Sequence, residues 1–194
     1  MKYILGLTGQ TGAGKSLVSK VAEEYGFFVI DCDKVAHAVT ETEKVKKALT
    51  AVFGGDILES GVLNRKKLAA AAFKDTQSTE LLNKTVLPFI VEEINILIGK
   101  SGKERILLDA PTLFESGADK LCDKTVGVIA DKDIRFKRII IRDALTELQA
   151  LQRINAGKPD EFYENKCDYI LKNNGEQNEI INNFENMLKD ILGR

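Results

Sequence analysis

Residues 9–16 read Gly9-Gln10-Thr11-Gly12-Ala13-Gly14-Lys15-Ser16, a complete G-x-x-x-x-G-K-[ST] stretch. Glycines at these spacings let the backbone curl so that successive N–H groups point inward and cradle phosphate oxygens. Lys15 then has the reach for β- and γ-phosphates, and the Ser16 hydroxyl can ligate Mg²⁺. A helix starting here aims its positive end at the same anion. Upstream, Tyr3-Ile4-Leu5-Gly6-Leu7-Thr8 has the length and apolar character of a strand. Downstream, Leu17, Val18, Val21, Ala22 and Tyr25 recur at helical spacing until Gly26 offers a stop. Strand, glycine loop and helix form the context the motif requires, so a nucleoside triphosphate is the implied ligand. Its expected contacts are Thr11, Gly12, Ala13, Gly14, Lys15 and Ser16.

Working outward, apolar segments rich in β-branched residues recur at Phe27–Asp31, Ile106–Asp109, Thr125–Ala130 and Tyr169–Leu171, most of them separated by helical patterns. This predicts an α/β protein with a mainly parallel sheet flanked by helices. Between Asp31 and Ile106 lie helical patterns at about 34–40, 43–53, 65–73 and 78–99, broken by Gly54-Gly55, Ser60-Gly61 and Pro88. That insertion is larger than one crossover needs. The expected organisation is one domain: a nucleotide-binding core at 1–33 and 100–194, a helical substrate subdomain at 34–99, and a lid at approximately 135–160.

The 194 residues suffice to bury a proper core, and 44% hydrophobic with 29% charged content describes an ordinary soluble globular protein. A net charge of −1 makes no global case for nucleic acid or a membrane surface, and no apolar run approaches membrane-spanning length. Cys32, Cys122 and Cys167 are odd in number and widely spaced, which points to a reducing cytosol and a cytoplasmic protein. The sequence leaves the oligomeric state open and is compatible with a monomer.

Three constellations accompany the loop. The second strand ends in Asp31-Cys32-Asp33, where continued extended geometry would set both carboxylates on one side. Asp33 has two roles open to it: accepting a proton or holding Mg²⁺ through water, or capping the helix that follows. The third strand ends at Asp109, the hydrophobic-run-plus-Asp form expected beside a nucleotide–Mg²⁺ site, and leads into Phe114-Glu115. Segment 131–142 sets Lys132, Arg135, Lys137, Arg138 and Arg142 on a helical pattern whose apolar side includes Ile134, Ile139 and Ile141. Arg138 and Arg142, four apart, share a face that is either a solvated charge run or a phosphate clamp. His37, the only histidine, excludes a His-based metal cluster; a substrate contact and a packing or surface role are both open to it.

Taken in order, these segments resemble the dephospho-CoA kinase family over nearly the whole chain. Leu7-Thr8-Gly9 into the loop, Val29-Ile30-Asp31-Cys32-Asp33, Val35-Ala36-His37, Gly61-Val62-Leu63-Asn64-Arg65, Leu108-Asp109-Ala110-Pro111-Thr112-Leu113-Phe114-Glu115, Arg138–Asp143 and Asp168–Gly175 carry the likeness. The resemblance implies a P-loop, nucleotide-kinase-like fold with an acceptor-binding helical insertion and a lid. It also implies ATP, with Mg²⁺, phosphorylating the 3′-hydroxyl of the ribose of dephospho-CoA. Asp33 matches the family's proposed catalytic carboxylate and Arg142 its phosphate-engaging lid arginine, with Lys15 the third catalytic group. Residues around Asn173, Asn174 and Gly175 fall where the family borders the adenine, with Asn174 and Gly175 the expected contacts, and Asp33, His37, Arg65 and Phe114 are the expected acceptor contacts. Mg²⁺ would sit on Ser16, with Asp33 or Asp109 acting through water.

Departures from the family pattern are Leu17 after the loop serine, Leu87 before Pro88, Thr112, and Gly157 after Arg153-Ile154-Asn155-Ala156. Rival readings are a kinase for another hydroxyl acceptor and a nucleotide sensor without catalysis. A GTPase is disfavoured because no N-K-x-D element appears.

Overall fold

A computed structural model describes residues 2–193. The chain forms two compact units: Met1–Val29, Lys103–Phe114 and Ala118–Arg194 make one, and Ile30–Gly102 with Glu115–Gly117 make the other.

The first unit is built on a five-stranded sheet in the order β2-β5-β1-β6-β7. Its strands are β1 (Tyr3–Gly9), β2 (Phe28–Asp31, whose last two residues count with the other unit), β5 (Arg105–Asp109), β6 (Lys124–Ile129) and β7 (Tyr169–Lys172). β1 pairs in parallel with β5 and with β6, and β6 in parallel with β7. Alternation along these strands sends Leu5, Leu7, Leu107, Val126, Val128 and Leu171 into one core with Val18, Val21 and Ala22 of α1 (Lys15–Glu24) and Ile180, Phe184 and Leu188 of α9 (Gln177–Leu192). On the opposite face, a Cβ on Gly6 would lie 2.7 Å from the Cys122 sulfur and 2.8 Å from Leu113, so only glycine lets that layer approach. Three further helices complete the unit: α6 (Lys132–Asp143), α7 (Glu147–Asn155) and α8 (Asp160–Lys166). α6 and α7 share a small core of Ile139, Ala150 and Ile154.

The second unit holds α2 (Cys32–Thr40), α3 (Glu43–Phe53), α4 (Arg65–Ala72) and α5 (Thr76–Lys100), with α5 packed against the other three. Each helix starts on a side chain that accepts its third backbone N–H: Asp31, Thr42, Asn64 and Asp75. A short hairpin, β3 (Leu58–Glu59) and β4 (Val62–Leu63), lies between α3 and α4. Its turn residues Ser60 and Gly61 both have positive φ, 50° and 80°, as a two-residue hairpin loop requires. The sequence pattern had put only a break here.

One expectation is overturned. Pro88 does not end a helix but lies inside α5, which runs unbroken for 25 residues. Proline removes one intrahelical bond at a cost of about 3 kcal/mol. Packing along α5, with Val86, Ile94 and Ile98 buried, offsets that cost.

Candidate active site

β1 runs directly into the loop, where Gly12 and Gly14 carry φ values of 81° and 102°. Both positions need glycine for space as well as conformation. A Cβ on Gly12 would lie 2.9 Å from the Arg135 carbonyl oxygen, and one on Gly14 would run into the Asn173 amide. Gly14 gives α1 no side-chain cap, and no carboxylate lies in the helix's first turn. The orphan N–H groups and the positive end of α1 are therefore left to an anion. Thr11, Gly12, Ala13, Gly14, Lys15 and Ser16 follow one another around this turn, with Ala13 buried and Ser16 exposed.

The Lys15 ammonium forms an ion pair with Asp109 at the carboxyl end of β5. The two side chains are 18% and 15% exposed, so the pair is largely shielded. Carboxyl ends of parallel strands are where ligands sit in such sheets. The donor set for a metal is oxygen alone: the Ser16 hydroxyl and the Asp109 carboxylate. Among the described residues no group of three His, Cys, Asp or Glu side chains could hold an ion. An all-oxygen donor set of this kind fits Mg²⁺, which keeps waters and takes substrate phosphates as ligands.

Asn173, just after β7, donates its amide to the Ala13 carbonyl at 2.7 Å and accepts at its own carbonyl from Arg138 at 3.0 Å. It thus braces the loop. Asn174 exchanges two hydrogen bonds with Asp131, at 2.8 and 2.9 Å, and Gly175 occupies an exposed bend.

Arg142 and Arg138 share one helix but not one partner. Arg142 grips Asp143 through Nε and Nη2 at 2.7 and 2.8 Å, and Arg153 pairs with the same carboxylate. The Arg142 hydrogen bond, ahead of a burial cost and the charges of both arginines, holds Asp143 below the usual carboxylate range. The inward side of α6 differs from expectation: Arg135 is 7% exposed and Ile139 fully buried, whereas Ile141 is 83% exposed. Position 141 falls between the buried turns, so the packed face runs through 135 and 139, four apart. Arg135 donates Nε to the Ala130 carbonyl at 2.7 Å, and burial pulls its pKa down against the attraction of Asp160.

Phe114 meets Phe162 edge-on, with ring centroids 6.0 Å apart, and the Lys166 ammonium lies 5.4 Å from the Phe114 ring centroid.

In the helical unit extended geometry stops at Asp31, so the expected same-side pairing of Asp31 and Asp33 does not occur. Asp31 caps α2 through the Lys34 N–H at 3.0 Å, and Asp33 sits exposed in the first turn. The capping role considered for Asp33 therefore belongs to its neighbour. His37 is exposed in the last turn of α2. Arg65, first residue of α4, reaches that helix end: it donates to Glu41 at 2.8 Å, the Thr40 hydroxyl at 3.3 Å and the His37 carbonyl at 3.4 Å. A guanidinium at a helix C-terminus meets its negative end.

Three residues escaped the sequence reading. Gln10 stands at a free motif position, Asn173 is expected near the base and not against the loop backbone, and Arg135 is one cation in a run of them. No local signal separates a buried arginine from its exposed neighbours.

A parallel sheet whose first strand passes through this loop into a helix defines the P-loop kinase fold. Solved structures agree: TT1252 from Thermus thermophilus superimposes with a TM-score of 0.81 at 27% identity, covering 99% of this chain and 97% of that one. Dephospho-CoA kinase from Campylobacter jejuni, at 22% identity, shares the fold with a TM-score of 0.58, covering 98% of this chain and 97% of that one. The dephospho-CoA kinase family model matches residues 3–179, and the dephospho-CoA kinase of Fusobacterium nucleatum is 35% identical over 97% of this chain and 98% of its own. This chain belongs to the dephospho-CoA kinase family.

Proposed function

We propose that the chain transfers the γ-phosphoryl group of ATP to the 3′-hydroxyl of the ribose of dephospho-CoA, giving CoA and ADP. The observation that carries this reading furthest is the shielded Lys15–Asp109 pair beside a loop whose backbone and helix end are open to an anion. Family membership supports the choice of acceptor.

The ribose oxygen bonds to the γ-phosphorus as the bond from that phosphorus to the β–γ bridging oxygen breaks. Its proton passes to the Asp33 carboxylate. A ribose hydroxyl is a poor acid, so in a loose transition state the proton leaves late, and alignment with charge neutralisation dominates. Lys15 and the loop amides hold the β- and γ-phosphates and receive the charge that develops on ADP. Arg142 exchanges Asp143 for phosphate oxygens on residues 135–160, which act as the lid. Residues 34–99 bind the acceptor, with His37, Arg65 and Phe114 as contributors. Asn174 and Gly175 border the adenine. Mg²⁺, held by Ser16 and water-mediated carboxylates of Asp109 or Asp33, supplies further neutralisation of the phosphate oxygens when bound. The odd number and wide spacing of the three cysteines support a reducing, cytosolic setting for the reaction.

The test is ADP release from purified protein and Mg·ATP with and without dephospho-CoA, the product being weighed by mass spectrometry. Acceptor-dependent turnover to the 3′-phosphorylated product is expected. ATP binding without acceptor-dependent turnover would defeat the proposal. Asp33→Asn is expected to lower kcat roughly 10²- to 10⁴-fold while ATP binding, read by calorimetry, survives.

A further inference from the structure

We infer that Gln10 is a positioning residue that couples the phosphate loop to both ends of the α6–α7 hairpin. The inference rests on the reading above, in which that hairpin carries Arg142, the arginine that engages ATP.

Gln10 occupies a position that phosphate chemistry leaves free, since the motif accepts any residue there. Yet its side chain is buried, at 4% exposure, and the amide is committed on both sides. Its oxygen accepts the Ala130 N–H at 3.2 Å. Its nitrogen donates to the Lys158 carbonyl at 3.2 Å and to Asp160 Oδ1 at 2.7 Å. Only one orientation of the amide works. Turned over, its NH₂ would face an N–H and its oxygen would face two acceptors.

The three partners lie at particular places. Ala130 is the residue where β6 gives way to the approach to α6. Lys158 and Asp160 lie where the chain leaves α7 and enters α8. One loop side chain therefore holds the segment that enters the hairpin and the segment that leaves it. Arg135 fixes the other polar atom of Ala130, its carbonyl, from inside α6. The entry to the hairpin is thus held from the loop on one side and from the helix on the other.

A buried group with this many bonds is costly to leave half-satisfied, so the contacts shift together or break together. The loop's own backbone continues the chain of contacts, because the Gln10 carbonyl accepts the Ala13 N–H at 3.0 Å. An anion that orders Gly9–Ser16 therefore orders residues 130–160, and with them Arg142 and Arg153.

Gln10→Met keeps the side chain's length and removes all three side-chain bonds. Amide hydrogen exchange across 132–157 is measured with and without Mg·ATP, alongside ATP KM and kcat. In the wild-type protein Mg·ATP is expected to slow exchange of the hairpin about fivefold or more. In Gln10→Met most of that ATP-dependent slowing is lost and kcat falls about 10-fold, with KM for ATP within about threefold. A purely structural role would lower the melting temperature and leave the ATP-dependent difference intact; that outcome overturns the inference. So does a wild-type hairpin whose exchange ignores ATP. Asp160→Ala removes only the shortest bond and is the second variant should Gln10→Met not fold; a smaller loss in the same direction is expected, and an unchanged ATP response overturns the coupling. Because the exchange experiment needs no acceptor, protein that shields its hairpin with ATP but leaves dephospho-CoA untouched would defeat the proposed reaction and uphold the coupling.

Discussion

The phosphate loop and the α6–α7 hairpin each carry a cation assigned to ATP, Lys15 and Arg142, and the two are held in contrasting ways. Lys15 finds its carboxylate on a neighbouring strand, 94 residues along the chain, and the pair is mostly shielded from water. Arg142 takes the carboxylate of the very next residue and is 58% exposed. Around the loop, Asn173 holds the Ala13 carbonyl from beyond β7, and Gln10, itself in the loop, takes the Ala130 N–H. The hairpin relies on its own small core of Ile139, Ala150 and Ile154. The difference teaches where each kind of order comes from. A preorganised cation needs a sheet to bring strangers together, and such preorganisation costs no rearrangement when charge develops. An exposed pair of neighbours is worth about 0–1 kcal/mol, so it is readily traded for a phosphate.

The largest effect should come from breaking the preorganised side. Lys15→Ala is expected to lower kcat/KM about 10³-fold or more and to weaken ATP binding, since both ground state and transition state lose the ammonium. Steady-state kinetics with calorimetry reads both; normal ATP affinity in that variant would refute the role given to Lys15. On the hairpin side, Arg142→Ala should cost about 10- to 10²-fold in kcat with the melting temperature nearly unchanged, because the pair it breaks is exposed. A large fall in stability with unaltered kcat would mean that Arg142 serves the hairpin's fold instead.

A third variant sharpens the contrast at the far end of the sheet. Asp168, preceding β7, accepts from the Thr125 N–H and hydroxyl, both at 2.8 Å, and from Lys124 at 2.9 Å. Burial pushes its pKa up, but the hydrogen bonds from Lys124 and Thr125 outweigh this and hold it below the ordinary carboxylate range. A depressed carboxyl contributes stability that is present above its unfolded pKa, about 3.9, and is lost as pH falls through the lower folded value. Asp168→Ala is therefore expected to destabilise by about 1–3 kcal/mol in urea at pH 7, with a smaller difference from wild type at pH 3. Its kcat should stay close to that of the wild type; an equal loss at both pH values would contradict the electrostatic account.

The smallest change concerns the link between α6 and α7. Ala144 ends α6 with φ 49°, a left-handed conformation that costs a residue with a Cβ about 1–2 kcal/mol. Glycine relieves that strain but loses more entropy on folding, so Ala144→Gly should raise stability by up to about 1 kcal/mol. Thermal unfolding checks this, and a clear fall in melting temperature would argue against the strain.

Much of this molecule was readable before any fold was known. The five sheet strands, the loop and helices near 34–40, 43–53 and 65–73 follow from periodicity, glycine and start signals, all properties of contiguous residues. The same locality explains the misreadings. Pro88 looked like a stop because a helix alone cannot offset its cost, and three packed neighbours made it affordable. Asp31 and Asp33 looked alike until the helix began at Cys32 and divided them. Ile141 looked buried by its place in the helical pattern, while Arg135 took the inward position, because which face of a helix is covered depends on what lies against it.

The sequence by itself determined that a phosphate-cradling loop follows a strand and opens a helix, since that requires only glycines, a lysine and a hydroxyl at fixed spacing. The caps of the helical unit are local too, each made within four residues of its partner, yet the sequence reading pointed to Asp33 where the structure uses Asp31. Only the tertiary structure decided that Lys15 meets Asp109, that Asn173 rather than Asn174 reaches the loop, and that Gln10 ties it to both ends of the hairpin. These are contacts between distant segments, and the register that brings them together is set by how the whole sheet buries its apolar faces.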